Sequence, residues 1–415
     1  MRILVSPHEL SIGGSQINAI DLAASMIEAG HEAIIYGVRG PLVSYIEELG
    51  VPFIAARELR YRPAPSRIAQ LTSIARRERI DIIHAYEWPP CLDAYFGAHL
   101  LGHTPLVCTV LSMAVSPLVP PSIPLIMGTA QLGDVARSTG RPGPTWVIEP
   151  PIDTVEFAPG HDGSEFRRAH GVDDSETLVV SVSRLAIDLK LDSLVRAIDA
   201  VDELADRLPV RLVIVGDGEA REMLQQRADQ VNDRAGRTVV SLPGSTLEPR
   251  GAYAAADVVV SMGSSALRAM SMGRAVIVQG EEGFSEILDA DSLAHVLWEG
   301  AYGIGDGEPG AARLAGQIEL LARHPELREA NGRFGRRVIE EHFSLPILTE
   351  RLLGIFDEVL ERAGRPASSV GARLGEAIGM GARAAGNELD MHRPGQKAQR
   401  QRSRHDRLVA AGASR

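Results

Sequence analysis

The residues best suited to chemistry in this chain are two cations in the stretch VSVSRLAIDLKLDSL (180–194). Arg184 follows an apolar run, and Lys190 stands six residues later, just before a helix-like pattern. Of 43 Lys and Arg residues only two are lysines, and the other, Lys397, lies in a polar tail. A forked guanidinium beside a mobile ammonium suits a diphosphate, whose oxygens gain charge as it leaves. The competing reading is a surface salt bridge to Asp188 or Asp192. The scarcity of lysine elsewhere weights the choice towards a function, although the Arg-for-Lys bias with abundant Ala and Gly carries no message by itself.

Three further stretches carry polar or glycine-rich punctuation after strand-like runs. SIGGSQ (11–16) opens a helix, so Gly13 and Gly14 would let backbone N–H groups approach an anion, or merely turn the chain. VIVGDGE (213–219) ends a buried run at Gly216 and Asp217, where a base or ribose could approach closely. SMGSSALRAMSMGRAVIVQGEEGFSEIL (261–288) places Gly263, Ser264 and Ser265 at a helix start that offers free donors to a phosphate, or is ordinarily capped. Its glycine loop carries Glu281 and Glu282, with Glu286 just beyond.

These segments must be held by a larger frame. At 415 residues the chain exceeds one typical core, and 45% hydrophobic with 23% charged residues fits a globular protein. Strand-like and helix-like segments alternate, the signature of parallel α/β architecture. Strands are expected at Arg2–Val5, Ala33–Tyr36, Asp81–His84, Pro105–Leu111 and Trp146–Ile148. A stretch rich in Gly, Pro and charge, Asp153–Asp174, reads as an interdomain linker. The pattern then restarts at Leu178–Ser183, Arg211–Val215, Val239–Leu242, Val258–Ser261 and Ala275–Val278. The expected organisation is therefore an N-terminal Rossmann-like domain over 1–152, a second over 175–345, a closing helix over 346–364 and a flexible basic tail over 365–415. Ligands of such sheets sit beyond the strand carboxyl ends, so the cleft between two facing domains is the expected site.

Charge and cysteine content narrow the class. The net charge of −11 hides an asymmetry: His392–Arg415 holds seven Lys and Arg against one acid, leaving a strongly acidic body. That argues against nucleic acid as a partner of the folded body. Cys91 and Cys108 cannot build a disulfide framework, and MRILVSPHEL has too short an apolar run for a signal peptide, so a cytoplasmic setting is expected. The stretch Arg57–Arg79 holds seven arginines against two acids. It reads as a solvated helix face, or as a steering surface for an anionic acceptor or for peripheral contact with the inner membrane face.

Together, SIGGSQ, DIIH at 81–84, PPIDTVEFAP, VSRL with its following Lys, VIVGDGE, YAAADVVVS, LRAMSMGRAVIV and GFSEIL resemble a family 4 glycosyltransferase of the GT-B fold. The resemblance covers about residues 1–360. It implies two doubly wound Rossmann-like domains facing across a cleft. It also implies a UDP- or GDP-linked sugar bound by the C-terminal domain, an acceptor (glycan, lipid-linked or small molecule) bound by the N-terminal one, retention of configuration, and no metal or other cofactor. Arg184 and Lys190 match the diphosphate-binding pair, Gly13 and Gly14 the N-terminal phosphate loop, and Glu286 the glutamate after the donor site. Two departures stand out. The family's Glu-x7-Glu motif is degenerate, with Arg268 at the second glutamate, where the guanidinium would face a phosphate; Ser264, Ser265, Glu281 or Glu282 would then serve the sugar. Tyr86, followed by Glu87, replaces a donor-contacting histidine, while His84 ends a strand and is either a core residue or an acceptor contact. A non-catalytic sugar-nucleotide-binding relative, acting as partner or regulator, is the alternative these departures leave open.

Overall fold

The computed structural model describes residues 1–58, 64–246, 248–363 and 370–391. Two parallel sheets dominate it, because the expected apolar runs are buried on both faces and can satisfy their backbones only by pairing with one another. The first comprises β1 (Arg2–Ser6), β2 (Glu32–Gly37), β3 (Phe53–Ala55), β4 (Ile82–Tyr86), β5 (Leu106–Val110), β6 (Leu125–Met127) and β7 (Thr145–Val147), in the order β3-β2-β1-β4-β5-β6-β7. The second comprises β8 (Thr177–Val182), β9 (Val210–Val215), β10 (Val240–Gly244), β11 (Val258–Ser261), β12 (Ala275–Gln279) and β13 (Ser285–Ile287), in the order β10-β9-β8-β11-β12-β13. All ladders are parallel except β12 against β13, where Val278 faces Glu286. Strand order reverses between β1 and β4 and between β8 and β11, the switch points at which such sheets open a crevice.

The chain divides into two compact units, Met1–Pro151 joined by the residues from Leu345 onward, and Ile152–Ser344. The helix Leu345–Ala363 therefore returns to the first unit, where Leu348, Leu352 and Phe356 share a core with Ile3, Val5 and Ile82. Thr349 Oγ1 donates to Ser25 Oγ at 2.9 Å, buried between that helix and the helix Gly14–Glu28.

Two expectations about connecting segments need correction. The stretch read as a linker is folded into the second unit: Phe157 and Val172 lie in its core, and Ser164–Ala169 is helical. Its charged residues suggested a solvated chain, but Arg336 draws the backbone inward by donating to the carbonyls of Thr154, Phe157 and Ser271. The tail, read as flexible from 365, contains a helix over Val370–Met391. Glu376 fastens it by accepting from the Ser122 amide at 2.8 Å, the Ser122 hydroxyl at 2.6 Å and Tyr95 Oη at 3.0 Å. Lys397 and the basic stretch 392–415 lie outside the described residues. So do Arg60 and Arg62 of the arginine-rich stretch, in which Arg67 turns inward to Asp93 at 3.4 Å while Arg76 and Arg77 are exposed. Among the described residues no helix is long and apolar enough to cross a membrane.

Replacing Arg336 by Ala would strand several part-buried carbonyls at once. The expected outcome is a stability loss of about 2–3 kcal/mol, read as a lower urea midpoint with unchanged slope.

Candidate functional site

β8 ends at Val182, and the next three residues are fixed by the neighbouring strand's extension. The Ser183 amide donates to Val215 O at 3.0 Å and the Leu185 amide to Asp217 O at 2.9 Å, so Arg184 is presented from a backbone held at both sides. This close crossing requires Gly216: a Cβ there would lie 1.8 Å from the Ser183 carbonyl oxygen. VIVGDGE thus has a definite task, which is to seat the Arg184 loop. Asp217 turns its own carboxylate to the Gly218 amide at 2.8 Å.

Lys190 opens the helix Leu191–Leu204. Asp192, one of the carboxylates that a surface salt bridge would have used, is taken by Arg196 instead. Among the described residues neither Arg184 nor Lys190 has an ion pair or a side-chain hydrogen bond. Burial pushes the Lys190 ammonium down to about 8, the nearby Arg184 charge lowers it further, and Glu281 opposes the shift. Lys190 is half-buried and Arg184 exposed, so two unpaired like charges stand side by side at the carboxyl end of β8.

The helix start at 263–265 lies against the same strand end. Ser265 Oγ donates to Val182 O at 2.7 Å and meets Tyr253 Oη at 2.8 Å, so its hydroxyl locks the helix Ser264–Ser271 to β8. Gly263 takes a left-handed φ of 61° and donates its amide to Ala301 O at 2.7 Å. Ser264 is half-buried in the first turn. The Arg268 guanidinium lies over the Phe157 ring, 5.1 Å from the centroid. The sheet edge supplies the carboxylates. Glu281 accepts from Tyr302 Oη and its charge reaches Lys190. Glu282, also at a left-handed φ, follows in the same loop. Glu286 lies further along β13, where its charge, with burial as the main cause, helps hold the Glu299 carboxyl above its usual range.

In the first unit the expected residues behave differently. Gly13 caps the helix Gly14–Glu28 in extended backbone, and Gln16 Nε2 reaches back to Glu9 at 3.0 Å to brace the loop. His84 is a core residue rather than an acceptor contact. It is 1% exposed, its Nε2 lies 2.6 Å from Thr109 Oγ1, and burial drives its pKa down to about 3, so the ring stays neutral. Tyr86 is likewise buried, its ring tilted against that of His84 with centroids 4.4 Å apart, and its phenol is pushed up by desolvation. Both point inward because β4 is central and covered on both faces, so even a side chain at its end meets packing rather than solvent. Glu87, at a left-handed φ of 66°, spends its carboxylate on the amides of Leu111 (2.9 Å) and Ser112 (2.8 Å) and on the Ser112 hydroxyl (2.8 Å). It anchors the loop after β5.

The family model described as Glycosyltransferase Family 4 matches residues 12–120, and that described as Glycosyl transferases group 1 matches residues 176–301. Together they span more than half of the chain, one in each unit. The chain belongs to the family 4 glycosyltransferases. An uncharacterized glycosyltransferase of Methanocaldococcus jannaschii is 26% identical over 319 residues, covering 67% of this chain and 79% of the relative. Among solved structures, a glycosyltransferase from Rickettsia africae superposes with a TM-score of 0.70 at 16% identity, over 86% of this chain and 98% of the other. The Anabaena protein HepE, solved with UDP-glucose, superposes with a TM-score of 0.69 at 18% identity, over 86% of this chain and 100% of the other. At these identities the likeness establishes the GT-B fold.

Within this glycosyltransferase, the structure gathers Arg184, Lys190, Ser265 and Glu281 around the ends of β8 and β12. It leaves Arg268 on Phe157 and sends His84 and Tyr86 into the first core. Sequence reasoning missed Arg196, which is 2% exposed and donates to Gln279 Oε1 (2.9 Å), Gly280 O (3.1 Å) and Pro309 O (3.2 Å). Its only sequence signal is Asp192 four residues earlier, which any solvated helix face also shows.

An unpaired, desolvated ammonium destabilises the empty protein. Lys190→Met is therefore expected to raise the melting temperature at pH 7 by about 2 °C or more. The folded value lies near 8 and the ordinary value is 10.5, so the wild-type penalty is full below pH 8 and fades as pH rises towards 10.5. The gain should shrink across that window, as parallel thermal melts will read. Gly216→Ala, by contrast, must displace the Arg184 loop and should lower stability and anion binding together.

Proposed function

We propose that this glycosyltransferase moves a sugar from a UDP- or GDP-linked donor to an acceptor hydroxyl with retention of configuration and without a metal ion. The observation that carries the reading is the unpaired pair Arg184 and Lys190 at the carboxyl end of β8. In support, HepE, of the same fold, was solved with UDP-glucose. The leaving diphosphate would be met by the Arg184 fork and the Lys190 ammonium. The helix start Gly263–Ser265 would offer further donors.

Breaking the sugar–phosphate bond moves negative charge onto the diphosphate oxygens, which two fixed cations stabilise more than they stabilise the intact donor. The acceptor hydroxyl would attack on the face the diphosphate leaves, passing its proton to a phosphate oxygen. No side-chain base is then required, and none of the buried groups His84, Tyr86 or Glu299 is asked to serve as one. Glu281, Glu282 and Glu286 would accept from sugar hydroxyls, with Gly216 and Asp217 on the nucleotide side. The exposed Arg76 and Arg77 favour an anionic or lipid-linked acceptor at a membrane surface over an uncharged one.

Titration with UDP, GDP and their hexose conjugates tests the reading. Lys190→Ala should weaken diphosphate binding about 10- to 100-fold and depress turnover similarly. Binding should be strongest below pH 8, where the free ammonium is charged, and should fall as pH rises through 8. Unchanged binding of every nucleotide by the variant would sink the assignment.

A further inference from the structure

The loop between β12 and β13 carries Glu281, a carboxylate whose charge counters the desolvation of Lys190. One buried side chain ties it to the Lys190 helix, while the Glu281 amide donates to Gly303 O at 3.0 Å and the Gly305 amide to Glu281 O at 2.9 Å. Arg196 lies on that helix and uses its whole guanidinium: Nε donates to Pro309 O, Nη1 to Gln279 Oε1 and Phe284 O, and Nη2 to Gly280 O and to Asp192. Its acceptors bracket Glu281 on both sides in the sequence. Asp192 completes the bridge, accepting the Gly283 amide at 3.4 Å while pairing with Arg196. Tyr302 Oη then donates to the Glu281 carboxylate and fixes its direction.

We propose that Arg196 is a positioning residue: by clamping the loop Gln279–Phe284 to the helix that Lys190 opens, it holds Glu281 within electrostatic reach of Lys190 and so sets the charge that meets the donor diphosphate. The inference rests on the reading of Lys190 as a phosphate-binding cation. The neighbouring elements present few alternatives to Glu281. The loop after β8 contributes Arg184, which opposes the ammonium. Asp188 and Asp192 belong to the lysine's own segment, and Asp192 is engaged by Arg196. Glu219, beyond β9, accepts from the Ile187 amide at 3.2 Å. Arg313 adds a second positive charge near Arg196, so the clamp is tuned by more than one cation. An ordinary core would satisfy such a loop with neutral donors. A buried guanidinium here supplies five directed bonds from one rigid plane, which a flexible amine could not.

The chain's two lysines make a direct test possible. With lysine labelled with carbon-13 at Cε, the full-length protein gives two resonances, and Lys190→Ala assigns one of them. The wild-type Lys190 midpoint is expected near 8. Glu281→Gln should lower it by about one pH unit, and Arg196→Met should lower it in the same direction. In the double variant the shift should equal that of Glu281→Gln alone, because Arg196 acts only through that carboxylate. A midpoint that ignores Arg196→Met, or additive shifts in the double variant, would overturn the proposal. Should Arg196→Met fail to fold, Arg196→Gln, which keeps a donor at similar reach, carries the same expectation. UDP titration at pH 8.5 separates the two layers. Weaker binding by the variants supports both, whereas a shifted midpoint with unchanged UDP affinity leaves the positioning intact and removes Lys190 from the phosphate site.

Discussion

A half-buried positive charge, set beside a second one and unpaired among the described residues, is the constraint on which the strand-end arrangement of the second unit depends. Lys190 sits beside Arg184, whose charge adds to burial in making the ammonium harder to keep. Left to packing alone, such a pair would be replaced by apolar groups or drawn to a carboxylate. Instead the nearest acid on the helix is engaged by Arg196, and Glu281 is held close enough to moderate the ammonium without forming an ion pair with it.

The scaffold explains how two flexible side chains can be aimed. Parallel strands end abruptly at the carboxyl edge, and there the backbone of 183–185 is wedged against β9's extension through Gly216. From the other side, Ser265 ties the next crossover helix to Val182. Arg184 and Lys190 therefore hang from fixed points, and freedom remains only in their side chains. In the first unit the same architecture is used differently. Its polar strand-end residues, His84, Tyr86 and Glu87, are consumed by ring contact and by amide capture. What they give is a rigid edge, with Glu87 holding the loop after β5 in place.

Apolar runs were legible because burial on both faces explains three or four consecutive Val, Ile and Leu residues, as in Ile3–Val5, Leu212–Val215 and Val258–Val260. All five strands expected in the second unit are present: Val258–Ser261 has the expected bounds, and no edge of the others moved by more than two residues. β3, β6 and β13, at three residues each, lacked enough length for a pattern to show. The stretch 153–174 was misread because its Gly, Pro and charge describe a surface chain, whereas Phe157 and Val172 anchor it to a core drawn from distant sequence. Among candidate site residues, the pair of cations stood out by residue type and rarity. The partners of Arg268 and His84 were not legible, because linear position shows where a side chain starts, not which ring or hydroxyl it will meet.

By itself the sequence determined the α/β class, the two repeats of the strand–helix pattern and the chemical identity of the cations, since these depend on local periodicity and residue type. Tertiary structure alone decided that Ser265 and Arg196 serve as fasteners, that the last long helix returns to the first core, and that Lys190 stays unpaired. The physical reason is range: hydrogen bonds such as Arg196 to Gln279, 83 residues apart, and the water excluded around an ammonium exist only once remote segments have come together.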